Sequence, residues 1–156
     1  MNGLGLVDLG TLTRPELIFP DLPAGDRPGV LRELAERVAG TGRLGNPAAL
    51  FDKLWEREQL GSTAIGGGIA IPHCKVDSLE HGIVALGRVA AGVDFGAADG
   101  QPVRLFFLVI SPGRSPAEHL QILATLSRWV RGPGRVQALL DQPDAQALHA
   151  WLQKEG

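Results

Sequence analysis

The most continuous apolar run of the chain, from Val103 to Ile110, places the strongest constraint on how this chain can fold. A continuous apolar run of strand length is typical of a central strand that is buried on both faces. Such a strand needs apolar elements above and below it, so the sequence predicts a sheet covered by helices. The 156 residues contain no repeat, low-complexity segment or linker, and a chain of this length can bury a core without disulfides.

Apolar residues recur at helical spacing in several other segments, between typical helix-boundary residues. Asn46 is a good cap followed by a proline at the first helical position, and an earlier helix is expected to start near Asp26 and Pro28. The segment from Ser115 to Glu118 has the form of a capping box. In this motif the side chain of each end residue accepts a hydrogen bond from the backbone N–H of the other end residue. Helices are predicted over residues 29–38, 47–59, 116–130, 133–140 and 143–153.

Short apolar segments bounded by glycine and proline alternate with these helices. Strands are predicted over residues 17–19, 69–71, 83–86 and 103–110, with a short edge strand at 93–95. Interleaved strands and helices place the chain in the α/β class, bordering on α+β, with one sheet covered by helices. Residues 1–16 are interpreted as an N-terminal extension or first short element, and residues 17–156 as a single domain.

Composition narrows the range of partners. The net charge is about -2 with acidic and basic residues interspersed, so nucleic-acid binding is not expected. No apolar run approaches the roughly 20 residues that span a bilayer, so direct membrane insertion is not expected either. The chain opens without a charged-then-apolar leader, and its one cysteine, Cys74, has no internal partner for a disulfide. The expected location is therefore the cytoplasm.

The stretch from Gly61 to Cys74 joins a glycine-rich loop to a short strand that ends on His73. Pro72 is expected to end regular pairing and to present His73 at the rim of the strand. The glycines at 66–68 would let backbone pass close to an anion beside this imidazole. A histidine in such a place is a candidate nucleophile or acid/base, and a structural histidine at a strand end is the alternative.

Several familiar chemistries do not fit this stretch. The glycines are not followed by the Lys-Ser/Thr pair of a P-loop, and they lack the spacing of a dinucleotide fingerprint. The chain has no Cys-x-x-Cys and no histidine pair at helical spacing, and neighbours on an extended segment, such as His73 and Cys74, point to opposite faces. A Gly-x-Ser-x-Gly elbow is missing as well. The candidate chemistry that remains for this stretch is phosphoryl transfer through the imidazole nitrogen of His73.

Two further residues are candidates for the same cavity. Arg57 lies in the last turn of a predicted helix, four residues before the glycine-rich stretch. It either complements the carbonyl end of the helix dipole or turns back toward His73. His119 falls in the first turn of another helix, where free backbone donors attract anions, and a neutral histidine there can donate one hydrogen bond. The alternative for His119 is an exposed polar residue at a helix start.

The residues from Glu58 to Cys74 resemble the phosphorylation-site signature of the fructose/mannitol-type enzyme IIA domain of the bacterial phosphotransferase system. That group also contains stand-alone nitrogen-regulatory enzyme IIA proteins. The similarity extends over residues 17–153, through the blocks Val93-Asp-Phe-Gly, Asp99-Gly-Gln-Pro-Val and Glu118-His119-Leu-Gln-Ile-Leu. Ala64, Gly67 and Cys74 stand where other residues are commoner in the family, but none of these departures removes a reacting group.

The resemblance implies a single mixed sheet flanked by helices on both faces, and a role for each candidate residue. His73 matches the histidine that accepts phosphate from the phosphohistidine carrier protein, HPr or its nitrogen-branch counterpart. Arg57 matches the arginine that supports the phosphate, and His119 the second histidine, which orients and stabilises it. The arrangement requires no cofactor and no metal.

Two functions are consistent with this resemblance. The first is a phosphoryl carrier for fructose-type sugar uptake, which passes phosphate from His73 to a cysteine of an enzyme IIB. The second is a nitrogen-regulatory protein that binds its target proteins according to its phosphorylation state. Cys74 is interpreted in both as a small packing residue.

Overall fold

The computed structural model describes residues 9–155 of the chain. Its helices are α1 (Leu9–Leu12), α2 (Arg27–Gly40), α3 (Pro47–Gln59), α4 (Pro116–Trp129), α5 (Arg135–Asp141) and α6 (Ala145–Glu155), and a short 3-10 turn covers Pro15–Leu17. Its strands are β1 (Ile18–Phe19), β2 (Ala64–Gly66), β3 (Ile69–Ala70), β4 (His73–Val76), β5 (Ile83–Val93) and β6 (Val103–Pro112).

The predicted central strand is confirmed as β6, in which every residue except Arg104 is buried. It pairs antiparallel with β5 on one side and parallel with β3 and then β4 on the other. With β1 parallel to β5 and β2 antiparallel to β3, these strands form one mixed sheet. The predicted fold class, a single mixed sheet in an α/β arrangement, is therefore correct.

Successive side chains of β6 enter two separate apolar layers, as the alternation of a strand requires. Phe106 and Leu108 pack with apolar residues of α2 and α3 on one face of the sheet. Phe107 and Val109 pack with residues of α4, α5 and α6 on the other face. Helices thus cover both faces, as expected, and each layer fixes one group of helices against the sheet.

Two of the predicted helix starts are confirmed, and the predicted capping box at the third is not. Asp26 accepts a hydrogen bond from the Gly29 amide, and Asn46 caps α3 in the same way. Ser115 makes no capping bond with its side chain. Glu118 instead accepts a hydrogen bond of 2.8 Å from the amide of Gly82, before β5. The predicted capping box is wrong because the glutamate side chain bonds a residue distant in sequence and not the start of its own helix.

Two strand predictions also change. The strand expected at residues 83–86 continues to Val93, so that residue ends β5 and no separate edge strand forms at 93–95. Pairing does not end at Pro72, because β4 begins at the next residue, His73. Pro72 has no N–H to donate, but its carbonyl accepts a hydrogen bond of 2.9 Å from the Val109 amide. This bond continues the pairing with β6 past the proline.

The N-terminal part of the described chain packs on the domain that follows it. Helix α1 lies against α6, and Leu9 is buried in the same apolar layer as α6. The division of the chain at residue 17 stays a prediction, and residues 1–8 of that segment lie outside the described residues. Within residues 9–155, no helix has the length and the apolar composition needed to traverse a membrane.

Candidate functional site

The structure brings the three candidate residues together from three different elements. Arg57 reaches over from the last turn of α3, His73 opens β4, and His119 lies in the first turn of α4. The Nε atom of Arg57 lies 3.2 Å from Nε2 of His73. The rings of His73 and His119 have centroids 5.4 Å apart and are inclined by 52°. All three side chains line one open cavity of about 360 Å³.

Hydrogen bonding fixes the tautomer of His73. Its Nδ1 lies 2.8 Å from the carbonyl oxygen of Ile71, which can only accept, so Nδ1 carries the proton. Its Nε2 is therefore the nitrogen with the lone pair, and this lone pair accepts the N–H of Arg57. The backbone just before β4 thus orients the ring so that its basic nitrogen faces the cavity.

The surroundings of His73 favour the neutral imidazole. Burial lowers its pKa from the ordinary value of 6.5, and the guanidinium of Arg57 lowers it further, against the opposing effect of the hydrogen bond to Ile71. A neutral ring near pH 7 keeps the lone pair of Nε2 available for reaction. The site therefore holds an imidazole that can act as a nucleophile without first losing a proton.

Two lysines that were not predicted as site residues line the same cavity. Lys53 is one helical turn before Arg57, and Lys75 is two residues beyond His73. These spacings place each lysine on the same face as its neighbour, which was a usable signal in the sequence. With Arg57 they make one wall of the cavity cationic, although Glu56 also contributes to the lining.

A buried carboxylate supports the loop that holds Arg57. Glu58 is only 2% exposed and accepts hydrogen bonds from the amide of Thr63 at 3.0 Å and from its hydroxyl at 2.7 Å. This closes the turn after α3, so that the carbonyl of Gly61 accepts a bond of 2.9 Å from Arg57. No pattern in the sequence points to this role, because residues five apart do not form a recognised helix pair.

His119 is buried rather than exposed at a helix start, with 6% of its surface accessible. Its backbone N–H donates to the carbonyl of Ser115, so this amide is not a free donor for an anion. Its Nδ1 lies 2.8 Å from the hydroxyl oxygen of the fully buried Ser111, on β6. Burial, together with the positive charges that His73 and Lys75 can carry, lowers the pKa of His119 to about 4. The ring is therefore neutral at physiological pH.

The structure does not place the glycine-rich turn at this cavity, contrary to expectation. Residues 66–68 connect β2 to β3 with positive φ angles, and the Gly67 amide donates to Asp99 at 3.0 Å. The Gly68 carbonyl accepts from Arg104 and Leu105, whereas His73 is aligned with Val109 farther along β6. The glycines permit the tight turn, and they do not supply donors to the His73 cavity.

Cys74 faces the apolar layer formed by α2 and α3. It is 8% exposed, and burial raises the pKa of its thiol to about 12. The thiol is therefore protonated at neutral pH and is no nucleophile in this state. Within residues 9–155, no three His, Cys, Asp or Glu side chains are grouped so that they could hold a metal ion.

Acidification is expected to destabilise the folded protein through His119. In the unfolded chain His119 takes up a proton with its ordinary pKa of 6.5, whereas in the folded protein its pKa is about 4. Between these two values the unfolded state binds more protons, so the free energy of unfolding falls as pH falls through this window. The lowered pKa of His73 acts in the same direction. Urea unfolding of the wild type and of His119→Gln, measured across this window, should give the shallower pH dependence for the variant. Identical pH dependence in the two proteins would contradict the lowered pKa of His119.

Comparisons with known proteins show what this chain is similar to. The family model described as phosphoenolpyruvate-dependent sugar phosphotransferase system, EIIA 2, matches residues 11–155. The chain is 40% identical over 142 residues to a nitrogen regulatory protein of Bradyrhizobium diazoefficiens, with 90% of this chain and 92% of the relative covered. It is 34% identical to a PTS system fructose-specific EIIA component of Haloferax volcanii, with 93% and 94% covered. The crystal structure of the nitrogen regulatory protein IIA-Ntr from Neisseria meningitidis superposes with a TM-score of 0.84 at 29% identity, over 92% of this chain and 97% of that one.

Proposed function

Because the chain belongs to the EIIA type 2 family of the phosphoenolpyruvate-dependent sugar phosphotransferase system, we propose that it is a cytoplasmic carrier of phosphoryl groups. His73 accepts the group from the phosphohistidine of HPr or its nitrogen-branch counterpart and passes it to a cysteine of an enzyme IIB. The observation that carries this proposal is the tautomer of His73, whose Nε2 lone pair faces an open, cationic cavity.

The transfer step uses the lone pair of Nε2. This nitrogen attacks phosphorus and forms a new N–P bond, while the N–P bond of the carrier breaks and its electron pair returns to the carrier imidazole. The positive charge that develops on His73 is stabilised at Nδ1–H, which donates to the Ile71 carbonyl. Little covalent chemistry is left to the protein, so positioning and charge stabilisation dominate catalysis.

Arg57 has two tasks in this proposal. Before transfer its Nε–H occupies the lone pair of His73, so the guanidinium must turn aside as phosphorus approaches. Its N–H groups then donate to the phosphoryl oxygens, for which the fork of a guanidinium is well shaped. The bond to Gly61 keeps the side chain at the cavity during this movement. His119, whose ring centroid lies 5.4 Å from that of His73, supplies a further hydrogen bond.

Exposed apolar side chains beside the cavity support a protein as the phosphoryl donor. Leu60, which lines the cavity, is 82% exposed, and Leu120, which follows His119, is 66% exposed. Large apolar side chains left in water around a functional cavity are typical of a surface that a partner covers. Docking of a carrier would bury them while bringing its phosphohistidine to Nε2.

The nitrogen-regulatory role is the second candidate. The relative with the higher identity of the two compared, over a similar share of the chain, is a nitrogen regulatory protein. In this role the same phosphorylation of His73 changes the charge and the shape of the cavity surface, so that a target protein binds one state and not the other. The chemistry at His73 is common to both functions, and they differ in the protein that uses the product.

Incubation of the protein with phosphorylated HPr is expected to label Nε2 of His73 with one phosphoryl group. The phosphate should be labile in acid and stable in base, as a phosphoramidate is. Mass spectrometry identifies the residue, and phosphorus–nitrogen NMR correlation identifies the nitrogen. Phosphate on Nδ1 of His73, or on another residue, would reject the proposed site.

The labelled protein also separates the two functions. If the protein is a transport carrier, added fructose-type enzyme IIB should remove its phosphoryl group at least as fast as HPr phosphorylates it. A regulatory protein should hold its phosphate under the same conditions and should retain different partners on an affinity column in its two phosphorylation states.

A further inference from the structure

The hydroxyl of Ser111 makes the only side-chain contact that fixes the ring of His119 by a hydrogen bond within residues 9–155. Ser111 lies near the end of β6 with no exposed surface, and its hydroxyl oxygen is 2.8 Å from Nδ1 of His119. In that part of the chain this hydroxyl has no second partner. The bond crosses from the central strand to the first turn of α4, so it joins the buried core of the sheet to the cavity.

The direction of this bond follows from counting donors and acceptors. If Nδ1–H donated to Ser111, the hydroxyl hydrogen would remain buried without an acceptor, at a cost of about 1–3 kcal/mol. If the hydroxyl donates to Nδ1, both groups are satisfied with one bond. The second arrangement leaves the proton of the neutral imidazole on Nε2, the nitrogen on the other side of the ring from Ser111.

We propose that Ser111 is a positioning residue, which holds His119 as the Nε2–H tautomer by donating its hydroxyl proton to Nδ1. The inference rests on the proposed phosphoryl transfer at His73, because that reaction gives the second histidine its task. His119 then offers an N–H to a phosphoryl oxygen without carrying a charge. The other tautomer would direct a lone pair at that oxygen, and the two would repel.

The two histidines thereby hold opposite tautomers across one cavity. The carbonyl of Ile71 draws the proton of His73 to Nδ1 and leaves Nε2 as the nucleophile. The hydroxyl of Ser111 occupies Nδ1 of His119 and leaves its Nε2 as the donor. One backbone acceptor and one side-chain donor therefore divide the roles between two otherwise identical groups. A transferring phosphoryl group meets a lone pair on one ring and an N–H on the other.

Nitrogen-15 NMR of the uniformly labelled protein tests the assignment directly, because long-range correlations distinguish the two tautomers of each histidine. The wild type should show His119 protonated at Nε2 and His73 protonated at Nδ1. In Ser111→Ala, His119 should become a mixture of tautomers, and the rate of phosphoryl transfer to His73 should fall roughly tenfold, the effect of one lost hydrogen bond. Ser111→Thr keeps the hydroxyl and should restore both the tautomer and the rate.

Thr125→Val is the matched control, because it removes a buried hydroxyl from α4 that has no hydrogen-bond partner within the described residues. It should change neither the His119 tautomer nor the rate. A wild-type spectrum with His119 protonated at Nδ1, or a Ser111→Ala protein with an unchanged tautomer and rate, would overturn the proposal. The spectrum needs no phosphate donor, so a wild type that has the expected tautomers but fails to accept phosphate would refute the carrier function and leave the Ser111 assignment standing.

Discussion

Replacement of His73 by glutamine is expected to abolish labelling by phosphorylated HPr while leaving the fold intact. A carboxamide can donate toward the Ile71 carbonyl and accept from Arg57, the two bonds that the imidazole makes. It has no basic nitrogen with a free lone pair, so no N–P bond can form. Labelling with radioactive phosphate, followed by denaturing electrophoresis, should show no band above background, and the circular dichroism spectrum should match that of the wild type.

His81→Gln provides the matched control for this experiment. His81 is an exposed histidine in the loop before β5 and does not line the His73 cavity. The same substitution there should leave the rate and the extent of labelling unchanged. Labelling that persists in the His73 variant, or that disappears in the His81 variant, would show that the phosphoryl group is accepted elsewhere.

The sequence was sufficient for features that depend on local pattern. The central strand followed from one apolar run, and the helix starts at Asp26 and Asn46 followed from a polar side chain shortly before a proline. In each case the residues that decide the structure are close together in the chain. The convergence of Arg57, His73 and His119 on one cavity had no such local basis, and it came from the resemblance to a known family.

The expectations that failed did so where distant residues compete with near ones. Glu118 had the spacing of a capping box, but the amide of Gly82, 36 residues away, takes its carboxylate. The glycine turn is a neighbour of His73 in sequence, but an extended segment from Gly68 to His73 separates them by roughly 15 Å. Ser111 could not be assigned from sequence either, since its partner His119 comes from a helix whose position depends on the whole apolar layer.

Replacement of Arg88 by methionine is expected to lower the free energy of unfolding by about 3 kcal/mol. Arg88, on β5, donates from its NH1 atom to the carbonyls of Leu139, Leu140 and Gln142 at 3.0, 3.3 and 2.7 Å. Its Nε donates to the carbonyl of Pro20 at 3.1 Å. One guanidinium thus supplies hydrogen bonds to the carbonyls at the end of α5 and in the loop after β1. Methionine keeps the apolar part of the side chain and removes every donor.

Arg104→Met separates this effect from the general cost of removing an arginine from the sheet. Arg104 lies on the neighbouring strand β6 and makes one exposed bond, from Nε to the Ala90 carbonyl at 3.1 Å. Its replacement should change the free energy of unfolding by no more than about 0.5 kcal/mol. Urea unfolding followed by tryptophan fluorescence gives both values, since Trp129 and Trp151 pack together in the apolar layer beneath α4 and α6. Equal losses in the two variants would mean that the carbonyls gathered by Arg88 find other partners, and that the end of α5 does not depend on it.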